Sequence, residues 1–164
     1  MATSAHIETD KGAAGKSGGP EDALTLLKSD HAEVKAWFND YEDLENDAAK
    51  AALSAKICKA LKAHTKIEEE IFYPAARAAT GDEDLLDEGK VEHAGAKGLI
   101  AQIEAMKAGD ELYDAKVKVL GEQVKHHIKE EEGELFPEAR RADMDLSALG
   151  ARMAARKKEL MARP

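Results

Sequence analysis

Apolar residues recur along the chain in alternating steps of three and four, the period of a helix that turns one face toward a core. Leu24, Leu27, His31, Val34, Phe38 and Tyr41 form a first seam, and Leu53, Ile57, Leu61, His64, Glu68, Ile71 and Ala75 a second. A third runs through Leu86, Gly89, His93, Ala96, Ile100 and Ile103, and a fourth through Val117, Leu120, Val124, His127, Glu131 and Leu135. Between them, END at 45–47, TGDED at 80–84 and AGDE at 108–111 supply the Asn, Asp and Gly that suit helix ends and N-caps. Helices of roughly 20 to 30 residues joined by such short connections pack as antiparallel neighbours. The expected fold is all-α, an up-down-up-down four-helix bundle. Leu146, Leu149, Met153 and Leu160 then mark a fifth segment, from Asp145 to about Met161, as a short helix packed outside the bundle. The pattern divides the chain into a tail (1–20), the bundle domain (21–142) and a C-terminal helical extension (143–164).

Each seam contains a histidine, and the second and fourth carry a glutamate four residues later. The fourth does so within VKHHIKEEEGELFP, residues 124–137, on a helix that has one face to bury. A carboxylate taken out of water without a partner costs several kcal/mol or neutralises itself, so such a pattern asks for a partner, and a metal ion is the first to consider. Residues four apart lie one above the other on a helix, which lets His64 and Glu68 reach one centre, and His127 and Glu131 likewise. In an antiparallel bundle His31 and His93 approach the same level. Six donors then converge: His31, His64, Glu68, His93, His127 and Glu131.

The chain is also internally repeated. AHTKIEEEIFYP, ending at Pro74, aligns without gaps on HHIKEEEGELFP, ending at Pro137, pairing His64 with His127 and Glu68 with Glu131. His31 lies 33 residues before His64 and His93 lies 34 before His127, so each half is a helix hairpin carrying one His and then H-x-x-x-E. The alignment selects His127 over His126, which sits about 100° round the helix.

Composition narrows the partners. Charged residues make up 35% of the 164, with four prolines and 4% aromatics, a balance that favours helix over sheet. A net charge of −9 repels nucleic acid and anionic membranes, so neither is expected as a partner. Cys58 is the single cysteine and reads as a small buried apolar residue rather than a disulfide partner. No stretch resembles a secretory signal or approaches the ~18 apolar residues of a membrane span, and the expected location is the cytoplasm. GAAGKS at 12–17 lacks the leading glycine of a phosphate loop, since position 10 is Asp10.

Imidazole nitrogen with carboxylate oxygen and no thiolate suits iron, and carboxylates from two helices suit bridging a pair of metals. Two six-coordinate irons offer about 12 positions, of which four histidines and two bridging glutamates fill about eight. Roughly four remain for oxo or hydroxo bridges, water, a small ligand or another protein oxygen, with Tyr41, Glu69, Glu132 and Tyr73 as candidates for the last. Neither the Glu-x-x-His mark of ferritin-like bundles nor H-E-x-x-H of zinc proteases occurs.

His31, HTKIE at 64–68, His93 and HIKEE at 127–131, with Tyr73-Pro74 and Phe136-Pro137 closing the two repeats, resemble the hemerythrin HHE cation-binding domain over roughly residues 22–141. The resemblance implies a four-helix bundle with a non-haem centre of two iron ions, oxo- or hydroxo-bridged. It also implies a family whose members bind O2 reversibly, sense oxygen, redox state or iron, or break down peroxide. Oxygen-carrying hemerythrins have H-x-x-x-H on the third helix, where this chain has Lys97 four residues after His93. Fewer histidines and more carboxylate favour the ferric state, which moves weight from O2 transport toward peroxide or nitric oxide chemistry, or toward sensing. The expected function is reaction with a small oxidant (O2, H2O2 or NO), with disproportionation of hydrogen peroxide as the natural turnover. Two alternatives come from other classes. One is a sensor of oxygen, redox state or iron that signals through a protein partner without turnover, the other a metal-free structural bundle that binds partners.

Overall fold

The structure, a computed structural model, describes residues 21–164, and the expected tail at 1–20 lies outside the described residues. The elements are α1 (Ala23–Glu42), α2 (Asp47–Ile67), α3 (Tyr73–Thr80), α4 (Glu83–Glu104), α5 (Tyr113–Glu130), α6 (Phe136–Arg141) and α7 (Leu146–Ala162). A π-helical turn, Glu68–Phe72, joins α2 to α3 as one rod, and a second, Glu131–Leu135, joins α5 to α6. Helix α1 packs on α2 and α5, and α4 packs on the same two, so four rods close the all-α, up-down-up-down bundle. Helix α7 lies outside it, against α1 and α2.

Local chemistry sets the boundaries. Asp22, Asn46, Asp82 and Asp145 precede α1, α2, α4 and α7, and each side chain accepts from the backbone N–H three residues on. Each such cap contributes about 1 kcal/mol. Gly81 closes α3 at φ 70°, a left-handed position that an L side chain enters only with strain.

The π turns answer to the prolines. Pro74 and Pro137 lack an N–H, and their rings would crowd the carbonyl four residues back in a regular helix. Opening one turn, so that the Tyr73 N–H donates to the Glu68 carbonyl and the Phe136 N–H to that of Glu131, relieves this without breaking the rod. The inserted residue rotates the buried face by about 100°. Ala75, expected on the second seam, is therefore only half-buried, while Phe72, Tyr73 and Ala76 turn inward. Leu53 is half-buried as well, because neighbouring Ser54 points in and meets the Tyr113 hydroxyl.

The remaining apolar seam residues are buried in two clusters. One gathers Leu24, Leu27, Ile67, Phe72, Leu86, Leu135 and Phe136, and the other Val34, Phe38, Ile57, Leu61, Ile100, Leu120 and Val124. Burial of each large apolar side chain stabilises the fold by about 1.5–3 kcal/mol, which offsets the cost of the polar layer between the clusters. Leu149 and Met153 bring α7 into the first cluster. At Gly150 the helix meets the start of α1 so closely that an added Cβ would lie 2.2 Å from the Glu21 carbonyl oxygen. Among the described residues no helix is long and apolar enough to cross a membrane.

Candidate metal centre

His31 on α1, His64 on α2, His93 on α4 and His127 on α5 all lie at the level between the two clusters and aim their Nε2 atoms at one another. His31 and His64 Nε2 are 3.2 Å apart, and His93 and His127 Nε2 are 3.1 Å apart. Glu68 stands between the two pairs. Its Oε1 abuts His64 Nε2 and is 4.0 Å from His31 Nε2, while Oε2 is 3.3 Å from His93 Nε2 and 4.0 Å from His127 Nε2. Glu131 Oε1 abuts His127 Nε2. Two donor sets result, His31 and His64 in one, His93 and His127 in the other, and both include Glu68 and Glu131 with donor atoms within 4.8 Å of each other.

Among the described residues, none of the four buried side-chain oxygens of Glu68 and Glu131 has a protein hydrogen-bond partner. Buried carboxylate oxygens are otherwise almost always satisfied, and an orphaned set enclosed by four imidazole lone pairs calls for cations. Two shared carboxylates and two nitrogens per set fit a pair of them.

The outward ring nitrogens are satisfied as a metal centre requires. Nδ1 of His31 lies 3.1 Å from Glu132, that of His64 2.9 Å from Asp30, that of His93 3.0 Å from Glu69 and that of His127 2.9 Å from Glu92. An Nδ1–H donated to each carboxylate leaves the Nε2 lone pair facing inward. Glu69 and Glu132, expected among the additional oxygen donors, are thus engaged on histidines of the opposite half. Lys97 holds Glu69 in that role, since its Nζ is 2.8 Å from each oxygen of the carboxylate. Asp30 and Glu92 escape the seam pattern, because each faces away from its own helix's seam. The signal is present in the repeat, where a carboxylate immediately precedes the first histidine of each half.

The two bridging candidates differ electrostatically. Burial opposes ionisation of Glu68, but the charge of His64, with His31 and His93 close by, holds its carboxyl well below the usual range. At Glu131, burial and then the charge of Glu68 push the carboxyl up. Burial likewise opposes charging of His64 and His127, yet Glu68 and Asp30 raise the first to about 10, and Glu131, Glu68 and Glu92 the second to about 10.

The repeat is broken at one aromatic pair. Tyr73 stacks on His93 at 5.3 Å between centroids, and its hydroxyl lies 3.3 Å from His93 Nε2 and 3.4 Å from His127 Nε2. Gly89 makes room for it, since a Cβ there would come within 2.8 Å of that oxygen. Phe136, the repeat mate, stacks on His31 at 5.7 Å and offers no oxygen. Tyr41 is not at the centre: it shares the α1 seam with His31 but lies ten residues along it, roughly 15 Å at the helical rise, and its hydroxyl donates to Asp114 at 2.8 Å. His126 is exposed and pairs with Glu130 at 3.1 Å.

A cavity of about 140 Å³ adjoins all four histidines on the side of the second apolar cluster. Val34, Leu61, Ala96 and Val124 wall it, each three residues from the histidine of its own helix. Such a chamber has room for a small molecule beside the donors, with Glu33, Gln123 and Lys157 also in its lining.

Comparison with known proteins bears on the family and the fold. The family described as hemerythrin HHE cation binding domain matches residues 22–139. A crystal structure of a hemerythrin HHE cation-binding domain-containing protein from Mycobacterium kansasii shares the fold, with a TM-score of 0.74 at 23% identity over 86% of this chain and 88% of that one. A curated protein from Nostoc sp., described as a DNA nickase, is 29% identical over 111 residues, which are 68% of this chain and 31% of the relative. The chain thus spans about a third of that relative's length. With the match to residues 22–139 covering most of its length, the chain belongs to the hemerythrin HHE cation-binding domain family.

Proposed function

We propose that the polar layer holds two iron ions and that the centre reacts with a small oxidant, O2, hydrogen peroxide or nitric oxide. The observation that carries the reading is the set of four buried, unpartnered oxygens on Glu68 and Glu131, enclosed by four inward Nε2 atoms. His31 and His64 would hold one ion, His93 and His127 the other, and both glutamates would serve the pair. When bound, iron supplies the one-electron redox steps and open positions that protein side chains lack. The chain supplies the rest. Asp30, Glu69, Glu92 and Glu132 keep the histidine tautomers fixed, and Val34, Leu61, Ala96 and Val124 form an apolar approach. The Tyr73 hydroxyl, 3.3 Å from His93 Nε2 and 3.4 Å from His127 Nε2, would complete the His93/His127 set, which would leave the approach to the His31/His64 set beside Phe136.

Disproportionation of hydrogen peroxide is the turnover this arrangement suits. The sensing alternative is favoured by one observation, the Lys157 tie from α7 to Asp30 beside His64. One experiment separates them: metal analysis of the purified protein, with visible absorption and oxygen evolution followed after hydrogen peroxide is added. About two irons per chain with sustained O2 release supports turnover, in keeping with the donor count. A spectral change without release supports sensing, and failure to hold iron after reconstitution refutes the di-iron reading.

A further inference from the structure

Each histidine pair contains one member whose carboxylate partner is itself gripped by a lysine. For the His93/His127 pair the chain of contacts is Lys97, Glu69, His93, all within the bundle. For the His31/His64 pair it is Lys157, Asp30, His64, with Lys157 Nζ 2.5 Å from Asp30 Oδ1 and Asp30 Oδ2 2.9 Å from His64 Nδ1. Lys157 comes from α7, which lies outside the repeated hairpins and packs only against the first half's helices and first π turn among the main contacts. The repeat mate of Asp30 is Glu92, whose second oxygen has, among the described residues, no cation nearer than the exposed His126 at 3.8 Å.

We propose that Lys157 is a positioning residue for the His31/His64 half of the centre: by gripping Asp30, it makes retention of a cation there depend on the docking of α7. The inference rests on the metal-centre reading above. An ammonium on one carboxylate oxygen fixes the other against His64 Nδ1 and so fixes where Nε2 points. Asp30 is 12% exposed even with Lys157 in place, so without that ammonium its carboxylate is free to turn toward water. Arg156, the preceding residue, also ties α7 to the bundle, through Glu70 at 2.8 and 3.2 Å, but that pair does not reach a histidine. It is the natural control for docking without positioning.

The test loads full-length wild type, Lys157→Met, Lys157→Arg and Arg156→Met with ferrous iron under anaerobic conditions and follows its release to a chromophoric ferrous chelator, with hydrogen exchange of α7 measured in parallel. Lys157→Met is expected to lose half of its iron about tenfold faster than wild type, the low end of the effect of losing a histidine's supporting partner, and the other half unchanged. Lys157→Arg should restore slow release, Arg156→Met should release as wild type does, and adding Lys97→Met to Lys157→Met should make all the iron fast. Release from Lys157→Met at the wild-type rate overturns the proposal. So does equal acceleration by Arg156→Met while hydrogen exchange shows α7 still docked, which would show that the effect does not run through the Lys157 grip on Asp30. Wild type that holds no iron fails a different statement, the metal-centre reading itself, and removes the inference with it.

Discussion

Glu68 and Glu131 occupy equivalent places in the repeat, yet they should respond oppositely to loss of charge in the metal-free protein. Glu131→Gln removes a carboxylate whose ionisation is disfavoured by burial and by Glu68 and only partly offset by His127, so at neutral pH the chelator-treated variant should be more stable by about 1 kcal/mol, a typical relief for a poorly compensated buried charge. Glu68→Gln removes the anion that faces His64, His31 and His93, and it leaves His64 as a buried cation with only Asp30 on its far side. Breaking a buried pair in this way costs about 3–5 kcal/mol. For a chain of this size 1 kcal/mol corresponds to roughly 2–4 °C in Tm, so both changes are measurable by thermal or urea unfolding. The opposite signs should then converge with metal. Ferrous iron at 100 times its Kd should stabilise wild type by about 2.7 kcal/mol, and both variants should lose most of that gain because each removes an oxygen donor shared by the two sets. Equal destabilisation of the two metal-free variants would refute the electrostatic ranking. An undiminished iron-dependent shift in either would refute its role as a shared ligand.

Tyr73→Phe should retain iron but lose visible absorption contributed by the tyrosine, read by absorption spectra of the loaded protein, with a stability change of about 1 kcal/mol for one buried hydrogen-bonding hydroxyl. Gly150→Ala should push α7 off α1, because backbone rather than a movable side chain occupies the space, and should lower stability by about 1–3 kcal/mol in urea unfolding. Stability of the metal-free protein should fall as pH rises. His64 and His127 move from an ordinary 6.5 to about 10 in the fold, so their contribution is fully present below 6.5 and is lost as pH rises toward 10. Urea midpoints at pH 6 and pH 9 check the sign, and iron affinity should run the other way, since the cation displaces these protons.

The seam pattern locates helices, breaks and the buried histidines because helix period reports which face a residue occupies, and a carboxylate four residues after a His on a buried face is too costly to be there for packing alone. It fails where the period itself changes. A constant 3.6-residue repeat puts Ala75 in the core, and the π turn before Pro74 moves that role to Ala76. Tyr41 shares a face with His31, which makes it a candidate for the centre, although it stands about three turns away in height.

Facing is thus a property of one helix, and the sequence alone determined it, together with the repeat that pairs His64 with His127 and Glu68 with Glu131. Height between helices depends on how separate rods slide against one another, which only packing decides. That is why the tertiary structure was needed to set Asp30 and Glu92 against histidines of neighbouring helices and Glu69 and Glu132 against those of the opposite half. It was needed, too, to show that Tyr73 reaches the centre while Phe136 leaves its side bare. The Lys157 contact lies furthest from any local pattern, 127 residues from Asp30 and outside the repeat, because it exists only once α7 has docked across α1 and α2.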